Sequence, residues 1–298
     1  MSGVQDKISL KLEGKELLPT DRNGKYILKP IPSSQLKHSE DIVANEHLSM
    51  QISEQIFKIP TAKNGIIEFN DGELAYITKR FDYATDGSKI DQEDFASILE
   101  YTQEANGKSY KYDSSYEEIA KGIERSVAVY RPALEDFFRR VMLNYAIGNG
   151  DAHLKNFSLY RPENRQDMVL TPNYDLLYTK YHIDETIGEM AMELFDEIET
   201  KSYGALGYYS LEDITRFSEL LQIPPKRSLK IFTEFVNSIS KVEALVNNSF
   251  LSEAGKSAYI QNYITRIEKR FCYFIPSSGY EFESHLKEVA AIRMNQPS

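Results

Sequence analysis

An aspartate and an asparagine five residues apart, in the string Gly148-Asn149-Gly150-Asp151-Ala152-His153-Leu154-Lys155-Asn156, are the residues of this chain best placed to do chemistry. They follow a helical pattern and precede a strand pattern, which puts them on a loop between two regular elements. An aspartate so placed can orient an attacking hydroxyl and take its proton. An asparagine five residues on can hold a metal ion against phosphate oxygens. A second acid follows in Asn173-Tyr174-Asp175-Leu176-Leu177, where a further hard oxygen ligand suited to magnesium is expected. Lys155 can balance charge on a transferred phosphoryl group, and His153 can buttress the loop. The chemistry implied is phosphoryl transfer from ATP.

Taken singly these residues are ordinary, because Asp and Asn are common in turns and caps. The ordered set of Asp151, Asn156 and Asp175, between a helix and a hairpin, carries the reading. Lys29 ends the strand pattern Tyr26-Ile27-Leu28, and a strand lysine reaching inward can contact the alpha and beta phosphates. Glu46, on the helix that follows, can pair with that lysine. Ser2-Gly3-Val4-Gln5-Asp6-Lys7 precedes the first strand, and a glycine-containing turn there can aim backbone N–H groups at phosphates. Other motifs fail. Gly107-Lys108-Ser109 looks like the end of a Walker A loop, but Thr102 stands where that motif needs glycine. The five histidines do not cluster as zinc ligands, and neither a Gly-x-Ser-x-Gly elbow nor a Rossmann glycine fingerprint is present.

The elements that must position these groups are readable in outline. Ile8, Leu10 and Leu12 alternate with polar residues as in a strand. Tyr26 to Lys29 forms another strand, stopped by Pro30 and Pro32. Asp41 to Phe57 has helical spacing. Ile66–Phe69 and Leu74–Thr78 flank Asn70-Asp71-Gly72, a hairpin signal. From about residue 91 the pattern turns helical. A helix is expected to start at Pro132 with Leu134, Phe137, Phe138, Val141, Met142 and Tyr145 on one face. Phe157–Tyr160 and Met168–Leu170 predict a small hairpin. Later helices are predicted at Ser210–Leu221, Pro225–Asn247 and Ser252–Phe271. Two polar stretches, Thr102–Ser115 and Tyr178–Gly207, are expected to be mobile loops. The layout is α+β and bilobal, with a sheet-rich lobe over residues 1–85, a helical lobe over residues 86–298 and a cleft between them.

The formal net charge of −10 argues against broad direct contact with nucleic acid, which needs a basic footprint. A single cysteine, Cys272, leaves no intramolecular disulfide and fits a reducing cytoplasm. No apolar run approaches the roughly 20 residues that span a bilayer, and Met1 to Ser9 lacks the apolar core of a signal peptide. A cytoplasmic setting is expected.

Together these residues resemble the HipA family of bacterial serine/threonine kinase toxins. The resemblance runs in order through Ser2-Gly3-Val4-Gln5-Asp6-Lys7, Ile27-Leu28-Lys29-Pro30, Asn45-Glu46, Lys79-Arg80-Phe81-Asp82, Gln92-Glu93-Asp94, Gly150 to Ser158, and Leu170 to Asp175. It implies a protein-kinase-like fold with ATP and magnesium in the cleft, and Asp151 as the catalytic acid. Lys29 would contact phosphates, with Asn156 and Asp175 on the metal. Gly3, Val4 and Gln5 would form the phosphate loop. Lys79 to Phe81 would lie along the adenine hinge, Asp82 toward the ribose, and Gln92 would face the nucleotide. The family's substrates are aminoacyl-tRNA synthetases, phosphorylated on a serine so that charged tRNA runs short. Its partners are antitoxins, including a HipB-like helix-turn-helix protein through which DNA is contacted indirectly. HipA proteins carry an additional subdomain ahead of the Gly-Val-Gln loop, and this chain begins at that loop. It is therefore more similar to the short HipT type, which works with a small HipS-like protein. Ser2 matches a position where family members autophosphorylate.

Two other readings remain open on the residues alone. One is a small-molecule phosphotransferase of the aminoglycoside type, which spaces its Asp and Asn similarly. The other is an ATP-holding partner module of an antitoxin–repressor complex, whose acidic surface suits a basic protein.

Overall fold

Side-chain alternation in the first strands decides what reaches the cleft. The structure, a computed structural model, describes residues 6–33, 36–183, 190–197 and 200–272. Strands β1 (Ile8–Glu13), β2 (Glu16–Pro19) and β3 (Tyr26–Pro30) precede helix α1 (Ile42–Gln51), and β4 (Asn64–Glu68) and β5 (Leu74–Lys79) follow it. They form one antiparallel sheet in the order β2-β1-β3-β5-β4. The register pairs Ile27 with Thr78 and Lys29 with Tyr76, so these four side chains share one face. Leu28 and Ala75 point the other way, into a small apolar cluster with Leu10. A slip of one residue would exchange the faces and take Lys29 out of the cleft.

Helix α1 is buried nearly all round, including Asn45, Glu46 and Ser49. Buried polar groups need partners, and each of these three finds one outside its own helix. A π-helical turn, Ile52–Ile56, extends the helix. Helix and turn together cover most of the Asp41–Phe57 stretch predicted to be helical.

The second part begins with a strand rather than a helix. β6 (Gln92–Asp94) leads into α2 (Phe95–Ile98), α3 (Gln103–Asn106), α4 (Tyr116–Ser126) and α5 (Tyr130–Ile147). The predicted hairpin is β7 (Ser158–Tyr160) and β8 (Val169–Leu170), and β6 joins it to give the antiparallel order β6-β7-β8. The expected apolar face of α5 is entirely buried, and from Arg140 to Ile147 the helix is buried on all sides. Burying one such aromatic or aliphatic side chain is worth about 1.5–3 kcal/mol, so α5 anchors the core. It stops at Gly148, whose φ of 73° is the left-handed cap that favours glycine.

Helices α6 (Lys201–Leu206), α7 (Leu211–Leu220), α8 (Pro225–Asn237), α9 (Ile239–Asn247) and α10 (Glu253–Ile264) complete the helical part. The single helix predicted over Pro225–Asn247 is in fact two, divided at Ser238. The prediction over Ser252–Phe271 runs on from α10 through a π-helical turn at Thr265–Lys269. Among the described residues no helix is long and apolar enough to cross a membrane.

Candidate active site

A cavity of about 570 Å³ opens between the five-stranded sheet and the helical part. Lys29, Lys79, Phe81, Asp82, Gln92, His153, Lys155, Asn156 and Asp175, all singled out in the sequence, line it. Asp151 does not line it directly but sits on the loop that carries His153, Lys155 and Asn156. Ser2, Gly3, Val4 and Gln5 lie outside the described residues.

Lys29 is the hub on the sheet side. Its ammonium donates to Glu46 Oε1 at 2.6 Å and to Asp175 Oδ1, so residues from β3, α1 and the stretch after β8 meet at one nitrogen. Burial alone would lower the Lys29 pKa, but the Asp175 and Glu46 carboxylates outweigh it and hold the group above its ordinary value. For Asp175, burial pushes up while Lys29 and then Lys7 pull down, and the carboxyl ends well below the usual carboxylate range. Glu46 goes the other way: burial raises it more than Lys29 lowers it. Asp175 also adopts φ 59°, a left-handed conformation that Asp tolerates better than most residues and that clusters at functional sites.

The loop from Gly148 to Asn156 is held by side chains that bond one another and its backbone. Asn149 Nδ2 donates to Asn144 Oδ1 at 2.8 Å, and Asn149 Oδ1 accepts the Asp151 N–H at 3.1 Å. Thr179 Oγ1 accepts the Gly150 N–H at 2.7 Å and donates to the Gly148 carbonyl at 3.2 Å. A short 3₁₀ turn, Leu154–Asn156, aims Lys155 and Asn156 at the cavity. Tyr174 Oη donates to the Lys155 carbonyl at 2.8 Å, which ties the loop to the residue before Asp175. Asp151 Oδ1 accepts a hydrogen bond from Tyr112 Oη. His153 is buried, and neither ring nitrogen has a hydrogen-bond partner among the described residues. Burial lowers its pKa to about 4, so the ring is neutral near pH 7.

The arrangement suits a polyphosphate. Lys7, Lys29, Lys111 and Lys155 all line the cavity. Asn156 and Asp175 offer two hard oxygens there. Among the described residues no three His, Cys, Asp or Glu side chains gather to hold a metal by themselves. A magnesium ion at Asn156 and Asp175 would need phosphate oxygens and water to fill its shell, as this ion commonly does. Asp82, expected toward the ribose, lines the cavity. Arg80 grips it through Nε at 2.8 Å and Nη2 at 2.5 Å, and Lys89 approaches at 3.6 Å. Phe81 packs edge-on to Tyr160 and tilted against Tyr174.

Helix α1 also grips the segment after Asp175. Asn45 donates to the Tyr178 carbonyl and accepts the Tyr178 N–H, both at 3.0 Å, and meets His182 Nε2 at 2.8 Å. Asp41 accepts from Ser252 at the start of α10 and from Tyr181 Oη at 3.1 Å. The helix that supplies Glu46 is thus tied to both the helical part and the post-Asp175 segment.

The sequence reading missed Lys111 and Tyr112 as parts of this site, and Lys7 as a contributor of charge. Lys111 and Tyr112 sit in a polar stretch whose spacing carries no motif, and Lys7 closes the Ser2–Lys7 loop, which was read only for its backbone N–H groups. Thr102–Ser115, expected to be mobile, is fastened near its end to the loop that carries Asp151. Leu154 N–H donates to the Lys111 carbonyl at 3.0 Å, and Tyr116 Oη, just beyond, donates to the Ala152 carbonyl at 2.9 Å. Part of Tyr178–Gly207 lies outside the described residues.

A small antiparallel sheet and a helical part, with a strand lysine, a helix glutamate and two loop acids about one cleft, define a kinase-like α+β fold. The HipA-like C-terminal domain matches residues 1–242, and the chain belongs to that family. A Haemophilus influenzae protein named "Putative kinase" is 27% identical over 284 residues, spanning 90% of this chain and 80% of its own. "Putative kinase Y4dM" of Sinorhizobium fredii is 31% identical over 239 residues, which are 74% of this chain and 54% of that one. Among solved structures, HipA of Shewanella oneidensis MR-1, from its complex with HipB and operator DNA, superposes with a TM-score of 0.66 at 20% identity. That match covers 99% of this chain and 67% of HipA. The Helicobacter pylori proinflammatory kinase CtkA gives a TM-score of 0.57 at 14% identity, covering 96% and 94%. At these identities the two structures speak for the fold.

Proposed function

We propose that the chain is an ATP- and magnesium-dependent serine/threonine protein kinase acting as the toxin of a bacterial toxin–antitoxin system. The observation that carries this reading is the meeting of Lys29, Glu46 and Asp175 across a cleft from Lys155 and Asn156. Positioned charge is most of what phosphoryl transfer asks of a protein. In this reading Lys29, steadied by Glu46, holds the alpha and beta phosphates. Asp151 orients the acceptor hydroxyl and takes its proton, while Lys155 offsets charge on the moving phosphoryl group. Asn156 and Asp175 hold magnesium, which when bound neutralises charge on the phosphate oxygens. Lys79 and Phe81 flank the adenine, Gln92 faces the nucleotide, and neutral His153 supports the loop. Residues 1–85 and 86–298 are the two lobes.

The target class, an aminoacyl-tRNA synthetase, rests on the family resemblance. So do a small HipS-like partner and a cytoplasmic setting. A HipB-like antitoxin is the expected partner because the HipA neighbour was solved with HipB and operator DNA. Any DNA contact would then run through that antitoxin. The test is to incubate the chain with γ-labelled ATP, magnesium and a bacterial lysate. Label on a serine of a synthetase, absent with Asp151→Asn, is the expected result. ATP binding without transfer to any protein would overturn the reading.

A further inference from the structure

The position that an acceptor hydroxyl would take is already filled by one of the chain's own. Tyr112 Oη donates to Asp151 Oδ1, the carboxylate assigned above to receive an acceptor's proton, so the inference rests on the kinase reading. The contact is built in. Tyr112 N–H donates to the Ser109 carbonyl at 2.7 Å, closing a turn. The neighbouring Lys111 carbonyl accepts from Leu154 of the catalytic loop at 3.0 Å. Lys111 Nζ lies 4.9 Å from the centre of the Tyr112 ring, and the His153 ring meets it edge-on at 5.0 Å. Lys111 and His153 both line the cavity that holds Asn156 and Asp175, so the phenol is held beside the proposed phosphate site. Burial and the Asp151 contact raise the Tyr112 pKa. The oxygen therefore keeps its proton until a base removes it, and that base is in contact.

We propose that Tyr112 is a phosphorylation site of this chain, modified within the same molecule. The phenol oxygen attacks the γ-phosphorus of ATP, and a new O–P bond forms. The bond from that phosphorus to the β–γ bridging oxygen breaks, ADP leaves with the electron pair, and the phenol proton passes to Asp151. Once Asp151 has released that proton to solvent, a phosphate dianion stands beside a carboxylate, an arrangement of like charges that is disfavoured. The ring then leaves the acceptor position and frees Asp151 for a hydroxyl of another protein. The modification is therefore a single intramolecular event that precedes substrate phosphorylation.

The test incubates the full chain with γ-labelled ATP and magnesium over a wide range of protein concentrations. Released ADP and the modified residues, by peptide mass spectrometry, are followed in the same samples. The expected result is phosphate on Tyr112, with the fraction modified at a given time independent of concentration. ADP release or label elsewhere, including Ser2 or an added protein, with Tyr112 unmodified would overturn the inference and leave the kinase reading standing. So would modification of Tyr112 that slows on dilution. Absence of both ADP and label would end the inference together with the kinase reading.

Discussion

Removing the ammonium at the centre of the cleft is the most informative perturbation of stability. Lys29→Met leaves Glu46, 3% exposed, without its counter-charge. At 2.6 Å and an effective dielectric constant of about 20, the pair's attraction is about 6 kcal/mol. The cost of burying both charges offsets much of that, and removal of one partner of a buried pair is expected to cost about 3–5 kcal/mol. Asp175 loses the same partner, but 34% of its side chain is exposed, so solvent screens the charge it is left with. The double variant Lys29→Met/Glu46→Leu removes the stranded charge as well, so it should recover most of the loss, because apolar replacements of buried pairs are often near neutral. The chain has no tryptophan, so urea unfolding is best followed by far-UV circular dichroism, with an unchanged m-value as the check on comparability. A single variant costing under about 1 kcal/mol, or a double variant as damaged as the summed singles, would refute the reasoning.

Three further outcomes follow from the same geometry. Gly148→Ala should lose more than about 1 kcal/mol, because φ is 73° and a Cβ there would meet Asn262 Oδ1 at 3.0 Å and Tyr178 at 3.1 Å; a neutral urea midpoint would contradict this. His153 has a folded-state pKa near 4 against an ordinary 6.5, so the unfolded chain binds its proton first as pH falls. Its contribution is intact above pH 6.5 and is lost progressively down to about pH 4, by about 3 kcal/mol at most. His153→Leu should flatten the unfolding-midpoint profile across that window, and an unchanged profile would count against the buried neutral ring. Asn45→Ala removes both bonds to the Tyr178 backbone and should cost about 1–3 kcal/mol. It should also hasten limited proteolysis near Tyr178, and unaltered cleavage would show that this clamp does not hold the segment.

The legible parts of the site were those written locally. Asp151 to Asn156 is one continuous string, and Asp175 follows just after the next hairpin. Lys29 was readable because a strand ending at Pro30 exposes its register, and Glu46 because it lies within the next helix. Lys111 and Tyr112 were not, since their place comes from a backbone bond between Lys111 and Leu154, a long-range contact with no sequence period. β6 escaped because three residues are too few to show alternation, and its pairing with β7 is likewise long-range. The break at Ser238 fell inside a continuous helical pattern with no Gly or Pro to mark it. The pairing of Asp82 with Arg80, two residues earlier, was likewise not readable, since nothing in the spacing marks it.

The most direct test of the account measures ADP formation and ATP affinity side by side for the wild-type chain and Asp151→Asn, with magnesium and without. The account predicts that wild type forms ADP only with magnesium, and that the variant binds ATP comparably yet transfers no phosphate. Equal ADP formation by both proteins, or a wild-type chain that does not bind ATP, would contradict it.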